Sequence, residues 1–388
     1  MQELILSMLV GRAPDWVVVF VTSLLGVVAI FTFVIFSNLA AVWIERRLLG
    51  RFQIRSGPNR TGPEGLLQPL ADALKVVGKE AIMPFAVDKW VYLAAPAAVF
   101  APAILSFAVI PYAPGLTLLN IDVGILFLGA VGSVGVVPIF MAGWSSNNKY
   151  SLLGAMRAIA VTVSYEIPLI LSLIGILVLG ATLHLETLVE YQIEHGWFLF
   201  LQPLAFIIFF IAGSAELNRT PTDIMEGESE LTAGFHTEYS GFKFTLFYLA
   251  EYTHVLAFSA VIVTLFMGGW GSGPGLDLIP PALWFAAKMY LIFCVFVWTR
   301  ATLPRMRIDQ LMGFAWKFLI PLTLMNILIT AIEVYVGLAS IPIFLINTVL
   351  AAVLVVLWTR VVSVRGVAVN RSEYVARMMS QPTGQAGR

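Results

Sequence analysis

The stretch from Ala215 to Lys243 reads AELNRTPTDIMEGESELTAGFHTEYSGFK, and it is the one long polar interval in an otherwise apolar chain. It carries the acids Glu216, Asp223, Glu226, Glu228, Glu230 and Glu238 against Arg219 and Lys243, and Glu251 follows inside the next apolar run. The runs on either side, near 197–214 and 244–268, match the roughly 20 mainly apolar residues that a helix needs to cross a bilayer. A local negative field therefore lies between two membrane-length segments, which a plain solubilising loop rarely needs.

Working outward, the 388-residue chain is 59% hydrophobic and 12% charged, with a mean hydropathy of +0.89. Soluble domains are about 25% charged. Apolar runs near 16–38, 91–112, 123–142, 158–179, 281–303, 314–337 and 340–361 join the two above, which predicts an all-α polytopic transmembrane bundle of about nine helices. Residues 1–362 read as one integral membrane domain and 363–388 as a mobile cytoplasmic tail without a motif. Met1 to Arg12 lacks the basic start and short apolar core of a cleavable signal. The single cysteine, Cys294, lies in a span and has no partner for a disulfide or a thiolate metal site.

The basic residues fix an expected orientation. Of 23 Lys and Arg residues, all but Arg12, Lys288 and Lys317 fall in 44–90, 143–157, 215–243, 300–313 or from Arg360 onward. The alternate loops, 113–122, 180–196 and 269–280, hold none. The positive-inside rule puts the basic side in the cytoplasm, or in the matrix if the protein is organellar, and the acidic stretch goes with it.

Along the first inner segment, Trp43-Ile44-Glu45-Arg46-Arg47 reads as an interfacial aromatic followed by a charged stop. Gly57-Pro58 and Gly62-Pro63 then restrict a loop that holds Arg55 and Arg60. This loop reads either as a positive anchor or as the wall of a binding site. From Gly65 to Glu80 the apolar positions Leu66, Leu67, Leu70, Ala73, Leu74 and Val77 form one helical stripe, with Asp72, Lys75 and Lys79 off it. Such a helix lies in the membrane interface. It either seals the inner surface of the bundle or admits a lipid-soluble ligand beneath it.

Ionisable residues also occur within the spans. Glu166 follows Arg157 by nine residues, roughly 14 Å along a helix at 1.5 Å per residue, which is near the midplane of the bilayer core. Pro168 leaves the carbonyl of Ser164 without its helical partner and invites a kink and water at that depth. Tyr248, Glu251, Tyr252 and Val255 recur at i, i+3, i+4 and i+7, with His254 beside them, and Lys288 lies at a depth comparable to Glu166. Intramembrane ionisable groups mark a proton or ion route by default. The competing reading is a buried ion pair that fixes packing, which accounts for one carboxylate more readily than for three. By depth Glu216, Glu251 and Glu166 form a descending series beneath Glu226, Glu228 and Glu230. Acids crowded at that spacing favour raised pKa values, as a relay needs. The competing reading is a solvated acidic loop, the usual fate of a charge run, and the carboxylates within the spans weigh against it.

Several of these stretches resemble one family. They are Glu45-Arg46-Arg47, Gly57-Pro58-Asn59-Arg60, Gly65 to Asp72, Tyr150 to Arg157, Ser164-Tyr165-Glu166, Arg219-Thr220-Pro221 and Glu226 through Gly241. They are similar to the heel membrane subunit, the H subunit, of the proton-translocating NADH:quinone oxidoreductases, respiratory complex I, and the resemblance runs from about Trp16 to Trp358. It implies a subunit of a bacterial inner-membrane translocase with no redox centre of its own. Glu45, Arg46, Arg55, Arg60, Asp72, Arg219 and Phe235 would then wall a quinone chamber. Glu166, Glu216, Glu226, Glu228, Glu230, Glu238 and Glu251 would couple it to proton pumping. Arg157, Tyr248, Tyr252, His254 and Lys288 would be further intramembrane polar groups. Two departures stand out. Thr222 and Ile224-Met225 replace a frequent Phe and Leu-Pro, and Gly132-Ser133 stands where some relatives carry a carboxylate.

The implied partners are the hydrophilic quinone-site subunits, the antiporter-like membrane subunits and lipid, with quinone as substrate. No phosphate-binding Gly-rich loop, Cys set or paired His suggests a bound nucleotide, flavin, iron–sulfur cluster or metal, and nothing suggests nucleic acid. A membrane subunit of a hydrogenase-type complex, with different electron chemistry, is one alternative. A secondary transporter is another, although no internal repeat of spans supports it.

Overall fold

A computed structural model describes residues 15–224, 233–272, 279–337 and 340–367. Among them every regular element is helical. In hydrocarbon no water satisfies backbone N–H and C=O groups, and a helix satisfies its own. Seven of the described helices are long and apolar enough to cross a membrane, and shorter apolar helices cover Pro203–Glu216 and Pro342–Leu354. The protein is a polytopic helical membrane protein.

The elements in order are α1 (Asp15–Phe52), α2 (Gln68–Val77), α3 (Lys89–Val109), α4 (Gly124–Val134), α5 (Val136–Ser145), α6 (Lys149–Gly180), α7 (Leu185–His195), α8 (Phe198–Leu201), α9 (Pro203–Glu216), α10 (Gly241–Phe266), α11 (Pro281–Thr302), α12 (Ile308–Phe314), α13 (Ile320–Val336) and α14 (Ser340–Val367). The most enclosed long helices are α6 and α10. Helix α6 packs on α5, α9 and α13, while α10 packs on α3 and α11.

Some boundaries differ from the sequence reading for identifiable reasons. The charged stop at Trp43 to Arg47 marks where the apolar surface ends, yet α1 continues to Phe52 and turns Glu45 inward, where it is 2% exposed. The third apolar run is two helices that meet at Gly135. Pro138 has no N–H to offer the carbonyl of Val134. The eighth run begins earlier, at Ile308, and contains one π turn, Ala315–Leu319. The amphipathic helix is shorter than Gly65 to Glu80, because a 3-10 turn over Pro63–Gly65 precedes it. Its Leu70, Leu74 and Val77 are exposed, as an interfacial helix facing lipid requires. Beyond Val367, the expected tail lies outside the described residues.

Loops assigned to one side meet one another. On the basic side Arg305 donates to Asp223 at 2.8 Å, Met306 N to the Pro221 carbonyl at 3.0 Å, and Asn147 Nδ2 to the Ala86 carbonyl at 3.1 Å. On the other side Ile125 N reaches the Leu183 carbonyl at 3.3 Å and Asn120 reaches Glu186 at 3.2 Å.

Candidate functional site: a buried carboxylate cavity

Three carboxylates from three helices line one internal cavity of ≈ 160 Å³: Glu166 from α6, Glu216 from the end of α9 and Glu251 from α10. Tyr248, Glu251 and His254 share one face of α10 and all reach this cavity, together with Phe235 and His236. Most of the remaining wall is apolar, including Leu169, Leu173, Phe209 and Phe258. Helix α4 touches two of the acids at neighbouring residues. The Ser133 hydroxyl donates to the Glu166 carboxylate, and a Cβ on Gly132 would lie 2.8 Å from Glu216 Oε1.

The 3-10 turn Gly234–His236 contributes Phe235 and His236 to the lining. Gly154 lets it approach α6, since a Cβ there would meet Gly234 at 2.8 Å, and Ser151 Oγ donates to the Phe235 carbonyl at 2.6 Å. His236 is 5% exposed and meets Phe235, Phe244 and Tyr248 edge-on. Its Nδ1 has no hydrogen-bond partner among the described residues. Burial pushes the imidazole down to about 4, against the opposing pull of Asp223, so the ring is neutral near pH 7.

An ionic cluster adjoins the cavity. Arg219 Nη1 donates to both oxygens of Glu45 at 2.9 and 3.0 Å, and its Nε lies 2.9 Å from Glu251 Oε1. Arg300 Nη1 reaches Glu45 at 2.5 Å, and the Arg219 guanidinium sits 4.9 Å from the centre of the Tyr252 ring. Burial alone would lower the pKa of Arg219, but Glu251 and Glu45 outweigh it and raise it, so this cation is permanent. Two acids and two guanidinium groups balance, which is the condition under which buried charge persists.

Other expected site residues lie apart. Arg46 pairs with Asp72 at 2.5 Å and ties α1 to α2. Arg55 and Arg60 are exposed in their loop and do not line the cavity. Glu238 accepts from Asn148 Nδ2 at 2.6 Å, away from the cavity wall. Arg157 is half-buried near the N-terminal end of α6. Lys288 is not drawn to Glu166: its ammonium donates to the carbonyls of Met267, Gly269 and Gly271 at 2.8, 3.1 and 2.8 Å, between Trp197 and Trp284. Glu226, Glu228 and Glu230 lie outside the described residues.

Sequence reasoning passed over His236, Arg300 and the Asp223–Arg305 pair. His236 was legible as the one histidine in the acidic stretch. Arg300 gave no local sign, because its partner Glu45 lies 255 positions away.

Membrane-length helices around a carboxylate-lined cavity beside an ionic cluster define a class, that of multi-pass helical membrane proteins. Comparison with known proteins narrows it. Residues 25–331 match the family model described as NADH dehydrogenase. A protein of Dehalococcoides mccartyi (strain CBDB1), the H subunit of an NADH-quinone oxidoreductase, is 56% identical over 314 residues, 81% of this chain and 87% of that one. Proteins of the same name from Carboxydothermus hydrogenoformans and a Geobacillus species are 46% and 45% identical, covering 80% and 84% of this chain and 89% and 98% of theirs. The chain belongs to this family, that of the H subunit of NADH-quinone oxidoreductase, a membrane subunit of complex I.

Proposed function

We propose that this subunit forms part of the quinone chamber of its complex and couples quinone reduction to proton translocation through Glu166, Glu216 and Glu251. The observation that carries the reading is their convergence on one cavity whose Glu251 is in contact with Arg219 of the inner ionic cluster. Reduction of a quinone to a quinol takes up two electrons and two protons. The electrons come from an iron–sulfur partner subunit, and NADH is oxidised in other chains. The charge change in the chamber acts on Glu45, Arg219 and Glu251, and these share the field of the cavity. Glu226, Glu228, Glu230 and Glu238 join these three as the further proton-coupling acids that the family resemblance implies. Quinone enters from the membrane beside α2, whose apolar side chains face outward while Arg46 and Asp72 hold it to α1. The basic loops face the cytoplasm of a bacterium, and the other complex I subunits and lipid surround the bundle.

A photoreactive quinone analogue added to the whole complex should crosslink within residues 45–80 or 215–243. Labelling confined to 113–122, 180–196 or 269–280 would overturn the chamber. For the orientation, cysteines replace Arg60 and Glu190 in a Cys294→Ala background and meet an impermeant thiol reagent on intact cells. Only the Glu190 site should react.

A further inference from the structure

Arg219 joins the ionic cluster to the cavity, because its guanidinium touches both Glu45 and Glu251. What holds its backbone lies just beyond the end of α9. A helix leaves its last four carbonyls without intrahelical donors. Here the Gly213 carbonyl receives Leu217 N at 2.9 Å, that of Ala215 receives Asn218 N at 3.1 Å and that of Glu216 receives Asn218 Nδ2 at 3.2 Å. The Ser214 carbonyl receives two donors, Arg219 N at 3.1 Å and the Thr222 hydroxyl at 3.0 Å. Thr222 also donates to the carbonyl of Arg219 itself, from its N at 3.0 Å and from Oγ1 at 2.6 Å. One hydroxyl on a residue only 3% exposed thus bridges the end of α9 and the peptide of Arg219. The bridge is itself pinned on either side: the Pro221 carbonyl accepts from Met306 N, and Asp223 accepts from Arg305.

We propose that Thr222 is a positioning residue: its hydroxyl, shared between the carbonyls of Ser214 and Arg219, fixes Arg219 where its guanidinium reaches Glu45 and Glu251 together. This rests on the proton-coupling reading above and adds to it a residue that carries no charge and does not line the cavity. Rotating the peptide of Arg219 swings the far end of a long side chain, and hydrogen bonds weaken steeply once they lose alignment. Without the hydroxyl both carbonyls keep a backbone donor, Arg219 N on Ser214 and Thr222 N on Arg219. The hydroxyl therefore sets the direction of the turn rather than its existence. Thr222 is one of the two departures from the family pattern, and a Phe in its place could make neither side-chain bond.

The test uses two pairs that differ chiefly in the hydroxyl: the parent against Thr222→Val, and Thr222→Ser against Thr222→Cys, whose thiol is only a weak donor. Each is purified as the whole complex with subunit stoichiometry confirmed, and quinone reduction and proton uptake are measured per assembled complex in sealed vesicles. The Ser variant should turn over like the parent, while the Val and Cys variants fall toward the roughly hundredfold loss that a displacement of about 1 Å brings. Equal turnover within either pair overturns the proposal. Failure of both the Val and Cys variants to assemble beside a normal Ser variant overturns it too, since the hydroxyl would then serve folding and not Arg219. Glu216→Gln in the same preparation separates the two readings. Normal proton uptake in that variant removes the carboxylate path and the proposal with it, whereas a loss there combined with an unimpaired Val variant removes the proposal alone.

Discussion

Arg219, in the segment after α9, binds both carboxylate oxygens of Glu45 on α1 through a single nitrogen, at 2.9 and 3.0 Å. The two residues are 174 positions apart, and both are at most 3% exposed. Arg300 shares Glu45, so neutralising that acid sets two guanidinium groups against Glu251 alone. Breaking a buried pair from one side costs roughly 3–5 kcal/mol. Glu45→Gln should therefore lower the thermal midpoint and the yield of assembled complex. A variant that assembles and melts like the parent would mean that the pair gives no net stabilisation.

Gly132→Ala separates helix stability from function. Replacing a helical Gly by Ala favours the helix by about 1 kcal/mol, so α4 itself gains. The added Cβ would lie 2.8 Å from Glu216 Oε1, and the carboxylate must move. Assembly should be unchanged or improved while proton uptake per quinone reduced declines. Full coupling in this variant would show that Glu216 can shift without consequence.

Much of this was legible because a bilayer imposes one period and one length. Among the described residues seven helices are long and apolar enough to span, and the runs near 197–214 and 340–361 are represented by shorter apolar helices. The depths of Glu216, Glu251 and Glu166 ordered them along the bundle but did not say that they share a cavity. Local sequence could not carry what depends on distant pairing. Depth placed Lys288 level with Glu166 without naming its partner, and α11 aims it at loop carbonyls. Ser133 looked like the loss of an acid, but its hydroxyl supplies the hydrogen bond that Glu166 receives.

His236 gives a signed pH dependence. Burial lowers its pKa from 6.5 to about 4, so the opened segment binds more protons than the closed one between those values. Its contribution is complete above pH 6.5 and is lost as the pH falls toward about 4, a swing of about 3 kcal/mol at most. Asp223 opposes the shift, and Glu216, Glu251 and Tyr248 share the cavity. Hydrogen exchange of residues 233–240 in the complex should accelerate more steeply on acidification in the parent than in His236→Asn. Parallel slopes would mean that the ring is already charged or already exposed.

Lys288 clamps the loop that follows α10. Its three carbonyl acceptors belong to residues 267–271, and Gln192 holds the same loop through Gly268 N at 2.9 Å. Lys288→Met leaves those carbonyls without their common donor, at about 1–3 kcal/mol for each that finds no other partner. The amides of Gly269 and Gly271 should then exchange at least about tenfold faster in the assembled complex, which corresponds to 1.4 kcal/mol. Unchanged exchange would assign the loop's rigidity to Gln192 and Trp197 instead.

Glu166 distinguishes a proton carrier from a packing residue. Its hydrogen-bond donor is the neutral hydroxyl of Ser133, and a Gln at this position offers a carbonyl oxygen to the same donor. Shape and that hydrogen bond survive in Glu166→Gln, while the group that can take up and release a proton is gone. Glu166→Asp keeps that group on a shorter arm and should be the milder change. If the residue only packed, Gln would be the milder of the two. In sealed vesicles the Gln variant, with subunit stoichiometry confirmed, should lose quinone reduction and proton uptake together. The loss should be roughly a hundredfold or more, the scale of a positioned proton-transfer group. Both fall because quinone chemistry and proton movement are expected to be tightly coupled. Normal proton uptake in a fully assembled Gln variant would take Glu166 out of the path and leave its cavity position to be explained by packing against Ser133.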